Sequence, residues 1–333
     1  MVDGQRHSPR TGARARGLDR SVTIDGMETS DILVLGREHA RLGTDRAVRR
    51  QAERGELVRV APGGYVPVAR WNDADDDERH RLTIGAHAAR DPNLQFSHDS
   101  AAALWRLPAY GGWPTRAHVL EPTSAGGRSS RYLVRHGGGH DPAGTERDGI
   151  RVTSLVRTVV DVAHSCEFPR AVGMIDAALA GSETHGREPV IRAELDASMN
   201  ASRRPGAVRA RRAIAFADGR SESLGESLSR VQFEALGLPR PLLQQRFVDE
   251  QGTIIPDFYF PEFDLAGEFD GAVKYGDGRR FGTTLSAREV LIAEKRREDR
   301  LRRLVSRVAR WGWAEATDRR ALAAILRAHG IRV

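Results

Sequence analysis

Cysteine and lysine are nearly missing from this chain of 333 residues: Cys166 is its one cysteine, and Lys274 and Lys295 are its only lysines among 52 basic residues. A single thiol excludes an internal disulfide and a cysteine-built zinc site, and it fits a reducing, cytoplasmic compartment. No stretch approaches the roughly eighteen apolar residues that a membrane helix needs, so no membrane partner is expected. Neither a G-x-x-x-x-G-K-S/T nor a G-x-G-x-x-G sequence follows a strand, which argues against a nucleotide-cofactor enzyme. A Ser or Cys nucleophile motif is missing too.

Arginine carries the positive charge instead. A net charge of +7 favours polyanionic partners such as DNA, without proving one. Arg is charged in every surrounding whereas the Lys ammonium is tunable, so the two places where Lys persists direct attention to the last third of the chain. Both fall near the carboxylates Asp257, Glu268 and Asp270. The segment 1–26 alternates Arg6, Arg10, Arg14, Arg16 and Arg20 with Gly, Ser and Asp. It is expected to be a disordered basic tail, neither signal peptide nor anchor.

Pro, Gly and Asp-rich joints then divide the chain into blocks 27–71, 72–205 and 206–333. The fold class expected is α+β multidomain. In the first block, two short helices precede a third opened by Thr44 and closed near Gly55, and a hairpin from Leu57 to Val68 turns at Pro62, Gly63 and Gly64. That is the plan of a winged helix. Arg46, Arg49, Arg50 and Arg54 share a face of its third helix and are candidate DNA contacts.

The middle block reads as a mixed α+β unit, with helices over Asp77–Arg90 and Asp99–Leu107 and strands near Leu94–Ser97, Ala117–Leu120, Tyr132–Arg135 and Ile150–Thr153. Helices then start at Ser154, at Pro169 and near Pro189. His98, His118, His136, His140 and His164 are scattered rather than set at metal spacing, and read as structural or surface histidines.

The third block opens with a helix capped by Ser221 or Ser223 and ended by Gly237. Strands follow over Leu243–Val248, Thr253–Phe260 and Asp264–Asp270, then a basic helix over Ala287–Leu304, a strand over Val305–Trp311 and a last helix ending near Gly330. Residues i and i+2 of a strand point to one face, so Glu268 and Asp270 project together, with Asp257 supplied by the preceding strand. Oxygen-only ligands of this kind suit Mg²⁺ or Mn²⁺. Without a cation, close carboxylates raise one another's pKa.

Two resemblances sharpen this. The stretches "RRQAERGELVRVAPGGYV", "SHDSAAALWRLP" and "GIRVTSLVRTVVDVA" resemble the winged helix and core of the AbiEi-type antitoxin family, over roughly residues 27–180. From Ser221 onward, "GES", "PDFYFPEFDLAGEFDGAVKYG" and "EKRREDRL" resemble the PD-(D/E)XK nuclease superfamily, in the branch of very-short-patch-repair-type endonucleases. That resemblance implies a C-terminal α/β restriction-endonuclease-like domain hydrolysing phosphodiester bonds with Mg²⁺ or Mn²⁺ held by Asp257, Glu268 and Asp270. The chain departs from the pattern at Asp270, where a Lys is expected. Lys274 and Lys295 are both candidates for the missing ammonium.

Glu226 is a further candidate catalytic residue, although Ser223 and Glu226 also form an S-x-x-E capping box. Arg296, Arg297, Arg300 and Arg303 are candidate phosphate contacts, with Glu294, Glu298 and Asp299 at helical spacing to pair with them. The leading expectation is a DNA-binding, metal-dependent endonuclease used in defence or repair. The alternative is a non-catalytic AbiEi-like regulator, with a cognate toxin as partner, in which the nuclease-like domain only binds nucleic acid or protein.

Overall fold

The computed structural model describes residues 22–24, 26–28, 32–121, 129–201, 204–271 and 287–333, with no side-chain description for 201 and 287–294. It is a mixed α+β structure with several small sheets. Among the described residues no helix is long and apolar enough to cross a membrane. Residues 1–21 of the tail expected over 1–26 and Lys274 lie outside the described residues.

Strands β1 (Thr23–Ile24) and β2 (Met27–Glu28) form a short antiparallel pair. Strand β3 (Val34–Leu35), helices α1 (Gly36–Arg41) and α2 (Asp45–Glu53), and strands β4 (Leu57–Ala61) and β5 (Gly64–Pro67) follow, with sheet order β3-β5-β4. Thr23–Ile24 depart from the disordered tail expected over 1–26: they form a strand and Ile24 is buried, because its apolar side chain joins the core under the β3-β5-β4 sheet. Gly63 adopts φ +72° in the β4–β5 turn, where a side chain would be strained. Helix α2 buries only Val48.

Helices α3 (Val68–Asp73) and α4 (Asp76–Arg90) lead into the middle unit. The Asp75 side chain caps α4 by accepting from the Glu78 amide, and Asp76, Asp77 and Glu78 place negative charge at its dipole's positive end. Helix α4 is shared between two cores: Leu82, Ala86 and Ala89 pack under the β3-β5-β4 sheet, while Ile84 and Ala88 face the middle unit. There β6 (Gln95–Phe96), α5 (His98–Leu104), β7 (Ala117–Leu120), β8 (Leu133–His136), β9 (Thr145–Arg147) and β10 (Ile150–Val152) build a mixed sheet of order β8-β7-β6-β10-β9. Helices α6 (Leu155–Ser165), α7 (Phe168–Ala180), α8 (Arg192–Ala201) and α9 (Ala207–Phe216) cover it. The side chains of Ala210, Ala213, Ile214 and Phe216 join the middle core, so the chain stays in this unit beyond the joint read at Pro205.

The remainder carries α10 (Leu224–Ala235), β11 (Leu242–Leu243), β12 (Phe247–Asp249), β13 (Gly252–Ile254), β14 (Phe258–Phe260), β15 (Leu265–Phe269), α11 (Ala287–Leu304), β16 (Arg307–Trp311), α12 (Trp313–Thr317) and α13 (Arg319–Ala328). Its main sheet runs β11-β14-β15-β16, antiparallel up to β15, with β16 parallel to β15. The two long strands expected on either side of Gln251-Gly252 are each broken. Gln244 takes φ +53° after β11, and Pro256, with no N–H to donate, separates β13 from β14. The outer halves pair with each other as the β12–β13 hairpin. Aromatic rings fill the core: Phe233 meets Phe258, Phe260 and Trp311 edge-on at 5.1–5.6 Å.

Helix α10 also fastens this unit to the middle one. Arg230 donates to Asp176 on α7 at 2.7 Å, to Ser221 at 3.1 Å and to the Phe216 carbonyl at 2.6 Å, with Arg230 8% and Asp176 1% exposed.

Candidate active site

The start of α10 is held by a two-way cap. Ser223 accepts from the Glu226 amide at 3.2 Å and donates its hydroxyl to one Glu226 carboxylate oxygen at 2.7 Å, while the Glu222 amide donates to the other at 2.9 Å. Gly225 allows α10 to approach the sheet, because a Cβ there would lie 1.9 Å from the Phe269 ring of β15. This brings Glu226 near Asp257, at the end of the sheet where β14 begins and β15 ends. Burial pushes the Glu226 carboxyl up to about 7, and the charge of Asp257 adds to the rise.

Asp257 sits between Pro256 and β14. One carboxylate oxygen accepts from the Phe269 amide at 2.8 Å, which fixes the side chain toward β15. Burial pushes Asp257 up to about 6; the Phe269 hydrogen bond opposes that, and the nearby charge of Glu268 reinforces it. Glu268, next to last in β15 and 6% exposed, lies opposite Arg310 in the parallel register with β16. Arg310 reaches one of its oxygens at 2.5 Å and Arg297 of α11 pairs with the other. Arg297 also donates to the Ile255 carbonyl at 2.8 Å, so it spans β15 and the segment before Asp257.

Three carboxylates from three separate segments therefore lie near one another, with Asp257 close enough to feel Glu268 and to be felt by Glu226, and two arginines balance Glu268. Asp270, one residue past β15, is exposed, and its amide donates to the Trp311 carbonyl at 2.8 Å. Lys295 is exposed on α11 and makes no ion pair among the described residues. Arg296 is likewise exposed. Arg300 instead clasps Asp249 at 2.9 and 2.7 Å and the Gly252 carbonyl at 3.0 Å, tying α11 to the β12–β13 hairpin. Glu298 pairs with Arg302 at 2.6 Å.

Oxygen donors with raised pKa values are chemically suited to a hard divalent cation, which favours their ionised form. As placed, they do not form a coordination set: among the described residues no group of three or more His, Cys, Asp or Glu is arranged to hold a metal ion. The reason is visible at Glu268, whose two oxygens are both held by arginine.

On α2, Arg46, Arg49, Arg50 and Arg54 are all exposed, and at about 100° per residue they span the side opposite buried Val48. Arg49 is 3.5 Å from Asp45, and Arg54 donates to Glu56 at 2.6 Å. Neither Arg46 nor Arg50 has an ion pair among the described residues.

The histidines that look scattered in sequence are partly gathered. His98 and His136 stack at 3.6 Å, and His136 Nε2 lies 3.3 Å from His118 Nδ1. Burial lowers His98 to about 2 and His118 to about 4, so they are neutral spacers between sheet and α6. His140 and His164 lie apart from them, against Gln95 and the Pro205 carbonyl.

A scan against models of known protein families finds no match. Two uncharacterized proteins of Mycobacterium tuberculosis, Rv2248 of strain H37Rv and MT2308 of strain CDC 1551, are each 29% identical over 208 residues, covering 57% of this chain and 73% of theirs. The crystal structure of the Rv2827c protein from the same species is similar at 15% identity and a TM-score of 0.36, covering 66% of this chain and 85% of that one.

Proposed function

We propose that the chain is a DNA-binding protein whose C-terminal unit hydrolyses phosphodiester bonds with a divalent cation. The observation that carries this reading is the gathering of Glu226, Asp257 and Glu268 at one end of the central strands β14 and β15, in a unit built helix, strand, strand, helix, strand. Two of these carboxyls are pushed up to about 7 and about 6. Buried carboxyls that raise one another are costly to the fold unless something positive joins them.

Mg²⁺ or Mn²⁺ held by Asp257 and Glu268, with Glu226 beside them, would polarise a phosphate and lower the pKa of water. The chain's own part is positional. The Phe269 amide orients Asp257, the Ser223 cap orients Glu226, and Arg310 orients Glu268. In this reading Arg297 balances Glu268 in the resting state and turns to a phosphate when DNA arrives. The exposed arginines of α2 supply sequence-independent contacts to the duplex.

A second reading, a non-catalytic AbiEi-like regulator with a toxin partner, is favoured by one observation: both Glu268 oxygens are taken by arginine, and Asp270 stands where the resemblance calls for Lys. Cleavage of plasmid and short duplexes with Mg²⁺ or Mn²⁺, beside Asp257→Ala and Glu268→Ala, separates the two. Metal-dependent nicking lost in both variants supports hydrolysis. Salt-sensitive binding with no cleavage under any cation supports the regulator.

A further inference from the structure

A cleft of about 610 Å³ opens between the wing strand β4, the first turns of α4, the Gly111–Thr115 loop and the start of β8. Its walls alternate arginine with aromatic rings. Arg59 lies over Tyr132 at 5.5 Å and Arg131 over the same ring at 5.6 Å; Arg79 lies over Trp71 at 5.7 Å. Trp113 stacks on His80 at 5.3 Å and donates to Asp77 at 2.5 Å, which fixes its plane. Burial lowers His80 to about 4, so this floor is neutral.

We infer that this cleft binds a nucleotide, its phosphate between Arg59 and Arg131 and its base against the Trp71 and Tyr132 side of the walls. The two guanidiniums are exposed and have no ion pair among the described residues, while Arg79 is drawn toward Asp76 at 3.5 Å and the Trp71 carbonyl at 2.9 Å. A phosphate therefore meets two unneutralised planar forks that suit it bidentately. Aromatic rings beside arginine are the combination by which single strands are held without sequence preference. The volume falls in the range of small-ligand sites. Arg59 belongs to the wing, so the cleft adjoins the unit whose α2 face is basic, and it shares no residue with the carboxylate site. The inference thus stands whether or not that site is catalytic.

The test uses the full chain in EDTA, so that no cation-dependent step contributes. A fluorescein-labelled oligothymidylate hexamer is titrated by anisotropy at several salt concentrations, with thymidine monophosphate and a hexaglutamate peptide as competitors. Arg59→Ala combined with Arg131→Ala should weaken the hexamer at least tenfold and lower the salt slope by about 1.4, the value for two lost single-strand phosphate contacts. Arg320→Ala, at an exposed arginine of α13 outside both the α2 face and the carboxylate site, should leave hexamer binding unchanged. A bromodeoxyuridine hexamer should photo-crosslink to peptides carrying Trp71, Trp113 or Tyr132. Competition by the monophosphate at equal affinity assigns a free nucleotide; competition by the hexamer alone assigns a strand. Unchanged affinity in the double variant, crosslinks elsewhere, or stronger competition by hexaglutamate than by either nucleotide overturns the inference.

Discussion

Glu226→Gln tests the strain in the carboxylate site without requiring a substrate. The Glu226 carboxyl rises from 4.5 to about 7 in the folded chain. A raised folded value means that the contribution is fully present below about pH 4.5 and is lost as pH climbs through about 7. At about 1.4 kcal/mol per unit, ionised Glu226 costs the fold about 3 kcal/mol at pH 8 as an upper bound, and about 1 kcal/mol at pH 5. Gln keeps the cap, accepting from the Glu222 amide and donating to Ser223, but does not titrate. Hydrogen-bond changes are the same at both pH values, so the readout is the change in the gap between variant and wild type. Denaturant titrations in EDTA, followed through Trp311 and Trp313, should show the variant gaining about 2 kcal/mol relative to wild type between pH 5 and pH 8. A gap that stays constant across this range would refute the reasoning.

Other outcomes follow from the geometry. Asp176→Ala leaves the buried Arg230 without its counter-charge at the joint of α7 and α10, and should cost about 3–5 kcal/mol by denaturant melt, as should Arg230→Met, which strands the buried Asp176 carboxylate. Gly225→Ala drives a methyl into the Phe269 ring; a loss of about 1–3 kcal/mol by thermal melt, with weaker cation binding, is expected. Arg46→Ala with Arg50→Ala should weaken duplex binding evenly across sequences and reduce the salt slope by about 2, measured by anisotropy.

Local signals were readable in the chain to the extent that local chemistry decides them. The S-x-x-E cap of α10, the β4–β5 turn at Gly63 and the strand β15 all depend on neighbours within a few residues. What was hidden depends on pairing across the chain. Arg310 meets Glu268 only because β16 runs parallel to β15 in that register, and nothing near Arg310 announces it. His98, His118 and His136 meet through the β7–β8 pairing and the start of α5, so spacing along the chain could not show their contact. Helix α9 has an apolar stripe too short to stand out from the arginines around it until it docks on α7. Pro256 is the instructive miss: a β-rich run suggested one strand, and a single absent amide splits it and positions Asp257.

Cation occupancy tests the central claim most directly, because it does not depend on finding the right DNA. Mn²⁺ titrated into the wild type near pH 7 should bind at one site and release protons from Glu226 and Asp257, seen together by electron paramagnetic resonance and by calorimetry in buffers of different ionisation enthalpy. Asp257→Asn should abolish that site and its proton release. No saturable Mn²⁺ binding in the wild type, or binding that Asp257→Asn leaves intact, would contradict the account.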